Sequence, residues 1–152
     1  MNTSLVFAQI RTAKPRTIVT TDGEVDYQDS FVRFLLYGNE FDIAGLVYSS
    51  SQWHYKGDGK QTMFTSEMKY TADRYGKRTD LRWPGTDRMQ GFIDKYVMVY
   101  KNLIKHDKNY PAPQYLKSIV KVGNIDFEGE MDHDRPPITT WYLHCRKSCA
   151  VW

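Results

Sequence analysis

The sequence predicts an α/β fold in which helices flank a parallel sheet. Two β-branched runs, RTIVTT beginning at Arg16 and FDIAGLVYSS beginning at Phe41, enclose a helix-like run, DYQDSFVRFLLYGNE. A strand, a helix and a second strand within about 33 residues form a βαβ unit, whose strands are parallel with a right-handed crossover. At 152 residues, with 26% charged and 41% hydrophobic residues, the chain has the length and composition of one folded domain or a large piece of one.

Three elements make up this unit. The first strand is expected near residues 17–21 and the second near residues 43–48, because both runs are short, uncharged and β-branched. The helix between them is expected from about Asp26 to Gly38, since its apolar residues recur at helical spacing and Gly38 with Asn39 is typical of a helix end.

Two more helices follow a long connection. TDRMQGFIDKYVMVYKNLIKHD has apolar residues at i, i+3, i+4 and i+7, which predicts an amphipathic helix over residues 87–105 capped by Thr86 or Asp87. PAPQYLKSIVKVG predicts a helix over residues 113–122 with a proline near its first position. The connection, residues 49–85, shows little periodicity, and connections of this length in a compact domain are usually functional.

Charge and hydropathy exclude some classes of function. The 21 Lys and Arg against 18 Asp and Glu give a net charge of +3, and the charges are interspersed, so nucleic-acid binding is not expected. No run approaches the roughly 18 apolar residues of a membrane span. Residues 1–13 hold an apolar patch before Gln9 that resembles the end of a secretory signal without its basic region. They are interpreted as a leader or signal remnant, and a frayed N-terminal segment is the alternative.

Four acidic residues, Asp22, Glu24, Asp26 and Asp29, lie where the first strand gives way to the first helix. In α/β sheets this edge is where ligands bind. Asp26 as the N-cap and Asp29 three residues on, like a capping-box partner, explain two of the four. Asp22 and Glu24 remain unexplained, and clusters of carboxylates suit a hard cation such as Ca²⁺. Capping and metal or substrate binding therefore both stay open at this point.

Several segments together resemble one known family. They are TIVTTDGEVDYQDSFVRFLLYGNEFDIAGLVYSSSQWHYKGDGK, RWPGT, FIDKY and YPAPQYLKSIVKVGNIDFEGEM. They resemble the nucleoside hydrolase-like domain of bacterial cellulose-binding-type proteins, which is related to inosine-uridine preferring nucleoside hydrolases. The resemblance covers residues 14–131 and implies the N-terminal part of a Rossmann-type parallel sheet, incomplete here, in a secreted or periplasmic protein. Residues 132–152 are interpreted as a divergent tail that follows a frameshift or a truncation.

The resemblance also implies roles for individual residues. Nucleoside hydrolases carry the pattern Asp-Thr-Asp-Pro-Gly-Ile-Asp-Asp after the first strand, and it binds Ca²⁺ and a ribose. Its second aspartate falls on Asp22, its third on Asp26 and its last on Tyr27. Asp22 and Asp26 are thus the expected Ca²⁺ ligands and catalytic residues, Asp22 as the general base and Asp26 supporting the water and the sugar hydroxyls. Since a phenol cannot replace a bidentate carboxylate, Glu24 or Asp29 would have to compensate at Tyr27.

The long connection has two interpretations of its own. Its aromatic residues Trp53, His54, Tyr55 and Trp83 can form a platform for sugar rings, with Gln52 and neighbouring serines as polar partners. Alternatively they pack the connection onto the sheet, and for His54 a structural role is favoured over a catalytic one. The expected substrate-binding residues are Glu24, Ser50, Gln52, Trp53 and His54.

Two functions follow as expectations. The first is a hydrolase of an N-glycosidic or related sugar bond with Ca²⁺-activated water, inactive as this truncated chain. The second is a non-catalytic carbohydrate-binding module for cellulose or another polysaccharide. Sugars, nucleosides or polysaccharides are the expected ligands. Self-association through an uncovered sheet edge is also expected. A metal site at His144, Cys145 and Cys149 is not favoured, because the spacing is not typical of one.

Overall fold

The computed structural model describes residues 13–127, which form a parallel sheet flanked by helices. The strands are β1 (Arg16–Thr21), β2 (Asp42–Tyr48) and β3 (Val120–Val122), and the helices are α1 (Val25–Leu36), α2 (Lys69–Tyr75), α3 (Arg88–His106) and α4 (Pro113–Ser118), with a 3-10 turn at Gly38–Glu40.

All three strands run parallel in the order β1-β2-β3. Thr21 pairs with Tyr48, and Tyr48 pairs with Val122, so the three carboxyl ends lie side by side. The α/β class, the parallel pairing and the first two strands are confirmed. The predicted α1 and α3 also agree with the structure to within two residues at each end.

The end of the predicted fourth helix is wrong. Residues 113–122 were expected to be one helix, but α4 ends at Ser118 and Val120 begins β3. The backbone of β2 explains the change: the Leu46 N–H donates to the Ile119 carbonyl at 3.1 Å, and Leu46 pairs with Val120. The stabilisation that residues 119–122 gain by pairing with the buried strand β2 outweighs their preference for one more helical turn.

The expected N-cap of α1 is wrong by two positions. Glu24, not Asp26, lies at the N-cap, and Asp26 belongs to the first turn. The Asp26 carboxylate accepts the Tyr27 N–H at 2.9 Å instead. The helix starts early because Gly23, at φ +78°, turns the chain directly after β1.

The core lies between β2 and the helices α1, α3 and α4. Leu46, Ile93 and Leu116 are each fully buried and come from three different elements. The cluster contains Phe31, Leu35, Ile43, Leu46, Tyr48, Met89, Ile93, Tyr96 and Leu116. Because this core anchors both β2 and the start of α3, it fixes the edge of the sheet where the strands end.

Within residues 13–127, β1 and β3 each have one side without a partner strand. Self-association through these edges stays a prediction. Among the same residues, no helix combines the length and the apolar character that crossing a membrane requires. The predicted leader lies almost wholly outside the described residues, and the predicted tail, with His144 and the two cysteines, lies outside them entirely.

Candidate functional site

The candidate site forms at the carboxyl ends of the three strands. The Ser49 N–H donates to the Thr21 carbonyl at 2.8 Å, and the Ser50 N–H donates to the Asn124 carbonyl at 2.7 Å, so the segments that leave β1, β2 and β3 are joined. Asn124 is buried, and its Nδ2 donor has no partner among the described residues. This is the edge at which open α/β sheets bind ligands.

A tight turn after β1 aims the first carboxylate inward. The Thr21 hydroxyl accepts the Gly23 N–H at 3.0 Å, and Asp22 Oδ1 accepts the Glu24 N–H at 3.2 Å. Arg88 at the start of α3 donates to the Gly23 carbonyl at 2.9 Å, which ties the turn to that helix. The turn therefore places Asp22 and Glu24 in a defined geometry.

His54 lies between these two acidic side chains. Its Nδ1 is 3.0 Å from Asp22 Oδ2, and its Nε2 is 3.3 Å from Glu24 Oε1. The side chains of His54 and Asp22 are only 3% and 4% exposed, whereas that of Glu24 is 33% exposed. One ring nitrogen of His54 thus faces each carboxylate, and the imidazole joins the buried Asp22 to the partly exposed Glu24.

Asp22, Glu24 and His54 can also be considered as metal ligands. Their candidate ligand atoms all lie within 4.8 Å of one another. Two carboxylate oxygens and one imidazole nitrogen form a mixed donor set, which suits a transition metal better than Ca²⁺, a cation that takes oxygen ligands. Asp26, which was expected to bind the metal beside Asp22, is exposed and does not belong to this group.

Tyr27 lies close enough to the acidic residues to be affected by them. Burial of the phenol, followed by repulsion from Asp22, Asp26 and Glu24, raises the pKa of Tyr27 above its ordinary value. The phenol therefore stays neutral at neutral pH. The position at which the family resemblance implies a Ca²⁺-binding carboxylate therefore holds a neutral hydroxyl.

The other expected ligand-binding residues occupy different environments. Ser50 is buried and its hydroxyl donates to the Phe127 carbonyl, so it braces the strand ends. Gln52 accepts a hydrogen bond from the Thr71 hydroxyl at 3.0 Å, which ties the connection to α2. Trp53 is half-buried and, with His54, belongs to a tight turn in which Ser51 and His54 exchange backbone hydrogen bonds of 2.9 and 3.3 Å.

Trp53 forms an aromatic patch with two tyrosines of α2. Its ring lies edge-on to Tyr70, with centroids 5.6 Å apart, and edge-on to Tyr75 at 6.2 Å. Tyr70 is 63% exposed. These three residues, Trp53, Tyr70 and Tyr75, are called the aromatic patch below. Of the other expected platform residues, Tyr55 is buried and packs edge-on against Phe64.

Arg82 is a site residue that no pattern in the sequence indicated. Its Nη2 lies 3.5 Å from the same Glu24 oxygen that His54 contacts. In the sequence, the segment RWPGT carries part of the family resemblance and contributes Trp83 to the expected aromatic platform, but nothing in it indicates a role for Arg82. Its proline provides the contact with the site, because Pro84 packs against Gly23 in the turn after β1. No spacing in the sequence links Arg82 to a glutamate 58 positions earlier.

The fold and this site define an α/β domain of the nucleoside hydrolase-like class. The family profile described as "Cellulose-binding Sde182, nucleoside hydrolase-like domain" matches residues 16–140, and the chain belongs to that family. A search of curated proteins and a search of solved structures each gave no match.

Proposed function

We propose that this chain is a non-catalytic polysaccharide-binding domain that holds its ligand on the aromatic patch. The patch is the observation that supports the proposal most directly. Tyr70 is largely exposed, and Trp53 is held in place by edge contacts with two rings. Aromatic faces beside a few fixed polar groups are a common way to bind small ligands, and the family is described as cellulose-binding.

The patch is held rigidly, which favours binding. Thr71 is almost fully buried and donates to Gln52, so α2 and the turn that carries Trp53 keep one relative position. Arg74 lies over the Tyr75 ring, 5.5 Å from its centroid, and donates to the Tyr70 hydroxyl at 3.1 Å. A surface that is ordered before the ligand arrives loses less conformational entropy on binding.

The acidic cluster supports binding over catalysis. A general base needs a carboxylate that can reach water, but Asp22 is buried and both of its oxygens are engaged, by the Glu24 N–H and by His54. Asp26 is exposed and bonded to its neighbouring N–H. The two expected catalytic carboxylates therefore have different environments and different partners.

The binding proposal is tested by co-sedimentation with insoluble cellulose. Tyr70→Ala should weaken binding by about tenfold, since it removes an exposed ring worth roughly 1 kcal/mol or more in stacking. Tyr37→Ala is the matched control, because Tyr37 is 64% exposed and Tyr70 is 63% exposed, and it should bind as well as the unmodified chain. Equal binding by both variants, or no binding by the unmodified chain, would contradict the proposal.

A second candidate function is hydrolysis of an N-glycosidic bond with the help of Ca²⁺, with Asp22 and Asp26 as catalytic residues. The grouping of Asp22, Glu24 and His54 favours it. The residues fit the ion poorly, because an imidazole nitrogen takes part in the group and a neutral phenol replaces a carboxylate. It therefore ranks below binding.

Calcium and nucleoside assays separate the two candidates. Millimolar Ca²⁺ should change the Tm of the chain by less than about 1 °C. The group of residues fits Ca²⁺ poorly, and an ion that binds weakly stabilises the folded state only slightly. Release of base from a nucleoside is expected to be undetectable. Hydrolysis that both Asp22→Asn and Asp26→Asn abolish would overturn this ranking and establish the enzyme.

A further inference from the structure

Arg82 has an unusual backbone conformation. Its φ is +44°, in the left-handed region that long side chains rarely adopt. Among the described residues, Gln61 at φ +64° is the other non-glycine with positive φ. Such residues are strained, and they persist only where the surrounding structure holds them.

Contacts on both sides hold Arg82 in this conformation. The preceding residue, Leu81, exchanges two backbone hydrogen bonds of 2.9 Å with Tyr55. On the other side, Pro84 packs so closely on Gly23 that a Cβ atom there would lie 3.2 Å from Pro84 Cγ. The chain passes over the turn after β1 at Pro84, and Arg82 lies two residues before this contact.

This conformation brings the guanidinium group to Glu24. The Arg82 and Glu24 side chains are 55% and 33% exposed, and an ion pair of that exposure at 3.5 Å stabilises a protein little. The ion pair alone therefore does not account for the strain. The result is a guanidinium with several N–H donors beside a carboxylate oxygen that His54 also contacts.

We propose that Arg82 is a ligand-binding residue and that Arg82 and Glu24 together bind neighbouring hydroxyl groups of the polysaccharide. The guanidinium donates to one hydroxyl oxygen, and the carboxylate accepts from the next hydroxyl. His54 connects this pair to the aromatic patch, because Trp53 precedes it in the same turn. The inference rests on the proposed function and extends its site from the aromatic patch to the acidic cluster.

Two substitutions at Arg82 separate binding from folding. Arg82→Ala removes the guanidinium but keeps a side chain in the strained conformation, whereas Arg82→Gly removes both the guanidinium and the strain. Both should weaken co-sedimentation with insoluble cellulose by about tenfold, and Arg82→Gly should also raise the Tm by about 1–3 °C. Gln61→Gly is the matched control, which should raise the Tm similarly without changing binding.

Each outcome decides the inference. Full cellulose binding by Arg82→Ala or Arg82→Gly overturns the role of Arg82, while loss of binding by Tyr70→Ala in the same series leaves the proposed function standing. Absence of binding by the unmodified chain overturns both proposals. If Arg82→Gly fails to fold, Arg82→Ala decides: loss of binding with an unchanged Tm supports the inference, and retained binding contradicts it.

Discussion

At the scale of single residues, the buried pair of His54 and Asp22 decides how the site is held together. The two side chains are 3.0 Å apart and nearly inaccessible to water. Removing one partner of such a pair leaves an uncompensated charge in a medium that solvates it poorly. Interactions of this kind hold a site in one geometry even when they take no direct part in binding.

The first prediction concerns this pair. His54→Ala should lower the free energy of unfolding by about 3 kcal/mol or more, because the Asp22 carboxylate would stay buried without its partner. The same substitution at His106, exposed in the last turn of α3, should cost less than about 1 kcal/mol. Urea unfolding of both variants measures the difference, and equal losses would show that Asp22 does not depend on His54.

The sequence indicated the members of this cluster but not their arrangement. Asp22 and Glu24 were noticed because N-capping left them unexplained, and His54 because it lies in an aromatic segment. Pairing Asp22 with a residue 32 positions later needs the tertiary structure, since no periodicity connects them. The preference for a structural role of His54 over a catalytic one stays a prediction, which the His54→Ala variant tests.

At the scale of elements, the connection between β2 and α3 is ordered by isolated backbone pairs. Tyr55 pairs with Leu81, and Phe64 pairs with Arg78, where the backbones exchange hydrogen bonds of 2.8 and 2.9 Å. The Gly57 N–H donates to the Asp126 carbonyl at 2.9 Å. These pairs bring residues from distant parts of the connection together and position Arg82 above the turn after β1.

The second prediction tests how closely this connection packs. Gly57 has φ +80°, and a Cβ atom there would lie 2.1 Å from the Thr79 carbonyl oxygen. Gly57→Ala should therefore destabilise the chain by about 2–4 kcal/mol, through backbone strain and a clash that no side-chain movement relieves. Gly59 has φ +72° but open space around it, so Gly59→Ala should lower the free energy of unfolding by only about 1 kcal/mol. Similar Tm losses for the two variants would show that the connection adapts.

Elements with local signals were predictable, and those that depend on partners were not. The spacing of apolar residues in α1 and α3 comes from the sequence itself, and so does the β-branched composition of β1 and β2. The strand β3 has three residues and is defined by pairing with β2, so its sequence continues the pattern of α4. The helix α2 was missed because its seven residues include only one that is buried, Thr71.

At the scale of the whole molecule, two buried phenols, Tyr48 and Tyr96, join separate elements of the core. The Met89 N–H at the start of α3 donates to the Tyr48 hydroxyl of β2. The Tyr96 hydroxyl donates to the Pro111 carbonyl at 3.0 Å and so ties α3 to the segment that leads into α4. Both side chains are almost inaccessible to solvent, so their ionisation is coupled to the stability of the entire core.

The last prediction follows from this coupling. Burial is the main cause that raises the pKa of Tyr48 and of Tyr96 above the ordinary value of about 10, with repulsion from Tyr100 and Tyr110 adding to the effect at Tyr96. Because the folded chain then holds protons that the unfolded chain has lost, stability is fully present below pH 10 and falls as the pH rises above it. Each such tyrosine contributes a decline of up to about 1.4 kcal/mol per pH unit. Urea unfolding at pH 8, 10 and 11 should show the decline. Tyr96→Phe should make the decline shallower, because one of the two phenols is removed. The same substitution should lower the free energy of unfolding at pH 8 by about 1 kcal/mol, because the hydrogen bond to Pro111 is lost. A free energy of unfolding that stays constant from pH 8 to 11 would mean that these phenols ionise equally easily in the folded and unfolded chains.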